Sequence, residues 1–231
     1  MSFPMCIGHR GARGYKPENT LPAFDFAIEL GCDWLELDVH LVEGELVVIH
    51  DRELDRTTNG RGLVSEQSLD YLRSLDAGGG ARIPLLSEVL DLVDQRCGVN
   101  VELKGPGTAS PACALLDRYC QKGWSTEQFL VSAFNHRELA QCEPRYRRGA
   151  LFAKRLEDEW ERAASLGAWS VNYDLNDVTE TLVNEAHRRG YKILVYTANT
   201  PADLRKLVEW GVDGIFTDFP DRLLALRGTQ K

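Results

Sequence analysis

The chain has 231 residues, of which 43% are hydrophobic and 27% charged, with a formal net charge of -8. That length and apolar content suffice for a full core in one domain, and the charged fraction is ordinary for a globular fold. The acidic balance, with no block of Lys or Arg, argues against a nucleic-acid partner and restricts any anionic substrate to a place where positive charge is gathered locally.

No stretch has the apolar length of a membrane-spanning helix. The first strand-like run begins within a few residues of Met1, too early for a secretory signal, so a cytoplasmic location is expected. Six cysteines (Cys6, Cys32, Cys97, Cys113, Cys120 and Cys142) show no C-x-x-C pair and no zinc-type spacing. Free thiols are the expectation.

In chain order, a first run at 5–9 stops in Gly8-His9-Arg10-Gly11. "NTLPAFDFAIELG" follows, with apolar residues at Leu21, Phe24, Ala27 and Ile28 and a closing Gly31, the pattern of a capped helix. Asn19 and Thr20 are its expected cap. Runs at 34–40 and 46–50 are separated only by a few residues around Glu43-Gly44, far short of a parallel crossover, so they are expected to pair as a hairpin.

Residues 52–84 then break the rhythm, with turn chemistry at Asn59-Gly60 and three glycines at Gly78, Gly79 and Gly80. The segment is too long for an ordinary loop and too short for a core of its own, so an insertion over the mouth of the fold is expected. Further strand-like runs come at 99–103, 129–132, 150–152, 168–172, 192–196 and 214–217, mostly with helical patterns between them. "PADLRKLVEWG" opens at Pro201 and closes at Gly211, as helices commonly do. Nine runs less the hairpin partner leave eight strands, each followed by a helix. The expected fold is a (β/α)₈ TIM barrel in one domain spanning 1–231. An open doubly wound sheet is the alternative, but G-x-G-x-x-G is missing after the first run.

Side chains two apart in a strand share a face, so Glu36, Asp38 and His40 point one way in "LELDVH", as do Glu102 and Lys104 in "VELK". A single E-x-D is more often a solvent-facing strand end, or a set of acids paired with cations such as Lys104 and Arg10. The combination is more pointed. His9, Glu36, Asp38, His50 and Glu102 all fall at the C-terminal ends of expected strands, which in a barrel form the catalytic face. Three carboxylates suit a hard cation such as Mg²⁺ or Ca²⁺. His9 and His50 could act as acid and base, and Arg10 and Lys104 could hold an oxyanion or phosphate. Together these suggest phosphoryl chemistry at a diester.

The sequence resembles the glycerophosphodiester phosphodiesterase family over nearly its whole length. The likeness rests on "HRG" (His9 to Gly11), "PENT" (Pro17 to Thr20), "ELDVHL" (Glu36 to Leu41) and "VVIHD" (Val47 to Asp51). It continues in "LDRTTNGRG" (Leu54 to Gly62), "VELKG" (Val101 to Gly105), "VYTANT" (Val195 to Thr200) and "GVDGIFTDFPD" (Gly211 to Asp221). It implies a TIM barrel with a small insertion after the "HD" histidine, and one divalent cation (Mg²⁺ or Ca²⁺, with Mn²⁺ an alternative) on Glu36, Asp38 and Glu102. It further implies His9 and His50 as general acid and base, with Arg10 and Lys104 on the phosphate. The implied substrates are small glycerophosphodiesters such as glycerophosphocholine, cleaved to an alcohol and glycerol 3-phosphate. A lysophospholipid-cleaving barrel and a barrel that only binds a diester are the competing readings. The sequence departs from the usual pattern in a short "VEGE" turn, in Tyr196 where tryptophan is common, and in Ala198.

Other polar residues carry weaker expectations. His40 either acts directly in the site or supports it structurally, Asp51 braces its loop, and Glu18 is a candidate for the site rim. His136 and His187 are expected at the surface, on helices. Ser132 and Phe134 are candidates to border the pocket; Trp169 and Phe216 are core residues by default, with the pocket as an alternative.

Overall fold

The computed structural model describes residues 3–228. Eight parallel strands run in chain order: β1 (Met5–Gly8), β2 (Trp34–Val42), β4 (Gly98–Leu103), β5 (Phe129–Ala133), β6 (Arg147–Phe152), β7 (Ser170–Asp174), β8 (Lys192–Tyr196) and β9 (Gly214–Thr217). Each pairs with the next, and β1 pairs with both β9 and β2 (Ile7 opposite Trp34), so the sheet closes. The fold is the expected (β/α)₈ barrel. The ninth strand, β3 (Glu45–Val48), returns antiparallel along the end of β2. Its turn is Glu43-Gly44, both at positive φ (50° and 84°), the conformation a two-residue hairpin needs.

Alternation along the strands sorts the core. Leu35, Leu37 and Val39 of β2, with Val99, Val101 and Leu103 of β4, face the outer helices in the main apolar cluster. The opposite faces fill the barrel: Ile7, Trp34, Leu130, Leu194 and Phe216 form an apolar cluster, with Trp169 packed against it. The first helix, α1 (Leu21–Leu30), ends at Gly31 with φ 91°, where the expected stop lies. Of the remaining helices, the one at Pro201–Trp210 also keeps its expected bounds and is capped by the Thr200 side chain.

Several strand boundaries differ from expectation. β1 stops at Gly8 and β3 at Val48, so His9 and His50 stand on loops just past their strands. β7 begins at Ser170 rather than residue 168, and β6 already at Arg147. The 52–84 segment holds a short helix, α2 (Leu69–Ser74). As expected it has no core of its own, but it shares an apolar cluster: Leu54, Val64, Leu72, Leu75, Ala77 and Ile83 close on Val42, Val47 and Ile49 beside the hairpin. The segment borrows the hairpin's outer face, which is how so short a stretch becomes packed. Among the described residues, no helix is long and apolar enough to cross a membrane.

Candidate active site

The loop after β1 turns within four residues. Arg10 and Gly11 both take positive φ (51° and 82°). A Cβ on Gly11 would lie 2.6 Å from the Ala23 backbone, so only glycine fits under α1 there. The turn aims the Arg10 amide at Glu36 Oε2 (2.8 Å) and sends its buried guanidinium between Glu18 Oε1 (2.8 Å from Nη1) and Asp38 Oδ2 (3.4 Å from Nε). Glu18 is therefore bound into the site. Burial would raise its carboxyl, but Arg56 and Arg10 outweigh that and hold it down at about 2.

His9 Nδ1 is 2.7 Å from Asp218 Oδ1. A carboxylate can only accept, so the ring donates from Nδ1 and keeps Nε2 for other use. Asn199 fixes the carboxylate in turn, donating to Asp218 Oδ2 (2.8 Å) and accepting from the Asp218 amide (2.9 Å). His50 is built alike: Nδ1 lies 2.6 Å from Asp51 Oδ1, and Nε2 accepts from Lys104 Nζ at 3.1 Å. Burial lowers the pKa of both rings, more than their carboxylate partners raise it. His40 on β2 donates from Nε2 to the His50 carbonyl (3.2 Å) and so supports that loop from below.

Glu36, Asp38 and Glu102 each offer an oxygen, all within 4.8 Å of one another. Pairing of β2 with β4 puts Asp38 directly opposite Glu102. Burial and mutual repulsion raise Glu36 well above the usual carboxylate range and Glu102 to about 7. Asp38 is held down despite its burial by Arg10, Lys104 and His50. Asp38 Oδ2 accepts from Asn19 Nδ2 (2.8 Å), whereas its buried Oδ1 has no hydrogen-bond partner. Three clustered acid oxygens with one left unbonded fit a hard divalent cation. Lys104 Nζ also bonds Glu102 Oε1 (2.8 Å), so one ammonium touches both an acid of the cluster and His50.

These groups line a cavity of about 150 Å³. His9, Arg10, Glu36, His50, Asn100, Glu102 and Lys104 make its polar wall, and Phe134, Leu151, Tyr196 and Phe216 its apolar one. Phe134 thus borders the pocket as expected. Ser132 does not: it is buried and donates to Asn100 Oδ1 at 2.9 Å. Phe216 reaches the pocket while Trp169 stays in the core, under Arg147.

Asn19 and Thr20 do not cap α1 through their side chains. Asn19 is drawn to Asp38, and the Thr20 hydroxyl bonds back to the Pro17 carbonyl (2.6 Å). His187 is exposed as expected, but His136 is half-buried, with Nε2 on the Leu151 carbonyl (3.0 Å). Asp51 braces its loop through Arg56 and also holds the His50 ring. Asp218, Asn199 and Asn19 were not expected in these roles, although Asp218 directly follows the last strand, a position that by itself marks the catalytic end of a barrel.

Histidines, carboxylates and cationic side chains gathered at the C-terminal mouth of a (β/α)₈ barrel define an enzyme of the barrel class. Residues 9–222 match the model of the glycerophosphoryl diester phosphodiesterase family. A glycerophosphodiester phosphodiesterase of Caldanaerobacter subterraneus is 36% identical over 96% of this chain and 97% of its own length. One from Bacillus altitudinis is 35% identical over 97% and 98%. Among solved structures, an Oleispira antarctica phosphodiesterase in complex with the product sn-glycerol-3-phosphate superposes with a TM-score of 0.90 at 30% identity, covering 98% of this chain and 97% of that one. The chain belongs to the glycerophosphoryl diester phosphodiesterase family, and its activity is that of a glycerophosphodiester phosphodiesterase.

Proposed function

We propose that the chain hydrolyses small glycerophosphodiesters, such as glycerophosphocholine and glycerophosphoethanolamine, to an alcohol and sn-glycerol 3-phosphate by acid–base catalysis between His9 and His50. One observation carries this reading. Each histidine has Nδ1 committed to an aspartate (Asp218, Asp51), and both rings line one pocket with the cationic Arg10 and Lys104 and the acids Glu36 and Glu102. A ring so anchored presents Nε2 to a proton, as base or as acid. Arg10, pinned by Glu18 and Asp38, and Lys104 supply the charge that holds the phosphate. A divalent cation held by Glu36, Asp38 and Glu102 would supply Lewis-acid stabilisation of the phosphoryl oxygens. The small cavity and the product bound to the Oleispira relative favour a small diester over a lysophospholipid.

The test is product identity. Wild-type protein with glycerophosphocholine or glycerophosphoethanolamine is expected to release choline or ethanolamine and sn-glycerol 3-phosphate, with kcat/KM well above that for a lysophospholipid. Preference for the lysophospholipid, or turnover of neither class, contradicts the reading.

A further inference from the structure

Arg56 belongs to the 52–84 segment, and its side chain is 47% exposed. Even so it makes four hydrogen bonds to two carboxylates from distant parts of the chain. Nε and Nη2 reach Asp51 at 2.5 and 3.0 Å, and Nη1 and Nη2 reach Glu18 at 2.9 and 2.8 Å. Both acceptors are already engaged in the pocket. Asp51 holds His50 Nδ1 at 2.6 Å, and Glu18 holds Arg10 Nη1 at 2.8 Å.

The arginine is itself held on a fixed turn. Leu54, two residues earlier, is fully buried in the segment's apolar cluster. Its carbonyl accepts both the amide (3.0 Å) and the hydroxyl (2.8 Å) of Thr58, closing a loop with Arg56 at its centre. An exposed arginine gains little from an isolated ion pair, because ordering a long side chain offsets the attraction. A planar fork that meets two carboxylates at once from a rigid turn is a different case, since little freedom is left to lose.

We propose that Arg56 is a positioning residue whose guanidinium ties Asp51 to Glu18 and thereby sets the His50 ring and the Arg10 guanidinium relative to each other. The inference rests on the roles given above to His50 and Arg10. Without the fork, Asp51 is free to turn towards water and release the ring, and Glu18 keeps Arg10 but can swing with it. The segment's task is then to complete the pocket.

The test is steady-state kinetics on Arg56→Ala, Arg56→Lys, Asp51→Asn and Glu18→Gln, with melting temperatures for each. Arg56→Ala is expected to lower kcat by about 10- to 100-fold, as small misplacements of reacting groups do, and to raise KM. Asp51→Asn is expected to reproduce mainly the kcat loss and Glu18→Gln mainly the KM rise, neither adding fully to Arg56→Ala. Lysine, which reaches one carboxylate at a time, should recover part of the loss, and millimolar guanidinium should partly rescue Arg56→Ala. A fully active Arg56→Ala protein overturns the proposal. So does a loss that comes only with a lowered melting temperature and without guanidinium rescue. His50→Ala, measured alongside, separates the two readings: full activity there removes the histidine's role itself, whereas an inactive His50→Ala beside a fully active Arg56→Ala removes the clamp alone.

Discussion

Replacing either His9 or His50 with alanine is expected to lower kcat by about 10²–10⁴, the usual contribution of a positioned acid or base. Neither substitution should unfold the protein, for two reasons. Both side chains stand on loops past their strands and belong to none of the apolar clusters. Their removal also leaves no stranded carboxylate, since Asp218 keeps Asn199 and Arg13, and Asp51 keeps Arg56. Melting temperatures close to wild type, together with the drop in kcat, are the expected pair of results. A variant that retains near-normal kcat would show that its histidine moves no proton in the rate-limiting step.

A second large effect is expected on the substrate side. A diester whose glycerol lacks the hydroxyl adjacent to the ester should still bind but should react slower by several orders of magnitude. The proposal is a two-step displacement. That hydroxyl attacks phosphorus, a new O–P bond forms and the P–O bond to the alcohol breaks, giving a cyclic phosphate that water then opens. One histidine takes the hydroxyl proton and the other protonates the departing oxygen. Holding the hydroxyl beside phosphorus makes the attack intramolecular, which can lower the barrier by up to roughly 7–11 kcal/mol in favourable cases.

An enzyme nucleophile is the competing possibility, and one hydroxyl does stand close. Thr197 lines the pocket with Oγ1 3.4 Å from His9 Nδ1. That nitrogen already donates to Asp218, so it has no lone pair with which to activate the threonine. Equal kcat values for glycerophosphocholine and its deoxy analogue would mean direct attack by water and would end the two-step scheme.

What was legible in the sequence follows from strand geometry. The period of two placed Glu36 and Asp38 on one face of β2, and Glu102 with Lys104 on one face of β4, and closure of the barrel then brought both faces together. Loops have no such period. His9 and His50 were readable as residues near strand ends, but what holds their rings was not. Asp218 is 209 positions from His9 and reaches it only because β9 closes against β1. Asn19 was misread for a related reason. Its place before α1 fits a local cap, yet the amide is turned to the buried Asp38 carboxylate, which needs donors, while Pro22 has no N–H to cap and the Ala23 amide bonds the Thr20 carbonyl (3.0 Å). Arg56 lay in the "LDRTTNGRG" stretch of the insertion, with no role given to it, and nothing local marks the four bonds it makes.

The measurement that bears most directly on the whole site is turnover of glycerophosphocholine after exhaustive chelation, followed by titration with Mg²⁺, Mn²⁺ or Ca²⁺. Glu36 and Glu102 both sit above the usual carboxylate range, chiefly through burial and then through repulsion within the cluster. A bound divalent cation would relieve that repulsion and favour their ionised forms. Loss of turnover on chelation and its return with one of these cations is the expected result, and Asp38→Asn should weaken the return. Full activity in the chelated protein would contradict the assignment of Glu36, Asp38 and Glu102 to a metal, and with it the site proposed here.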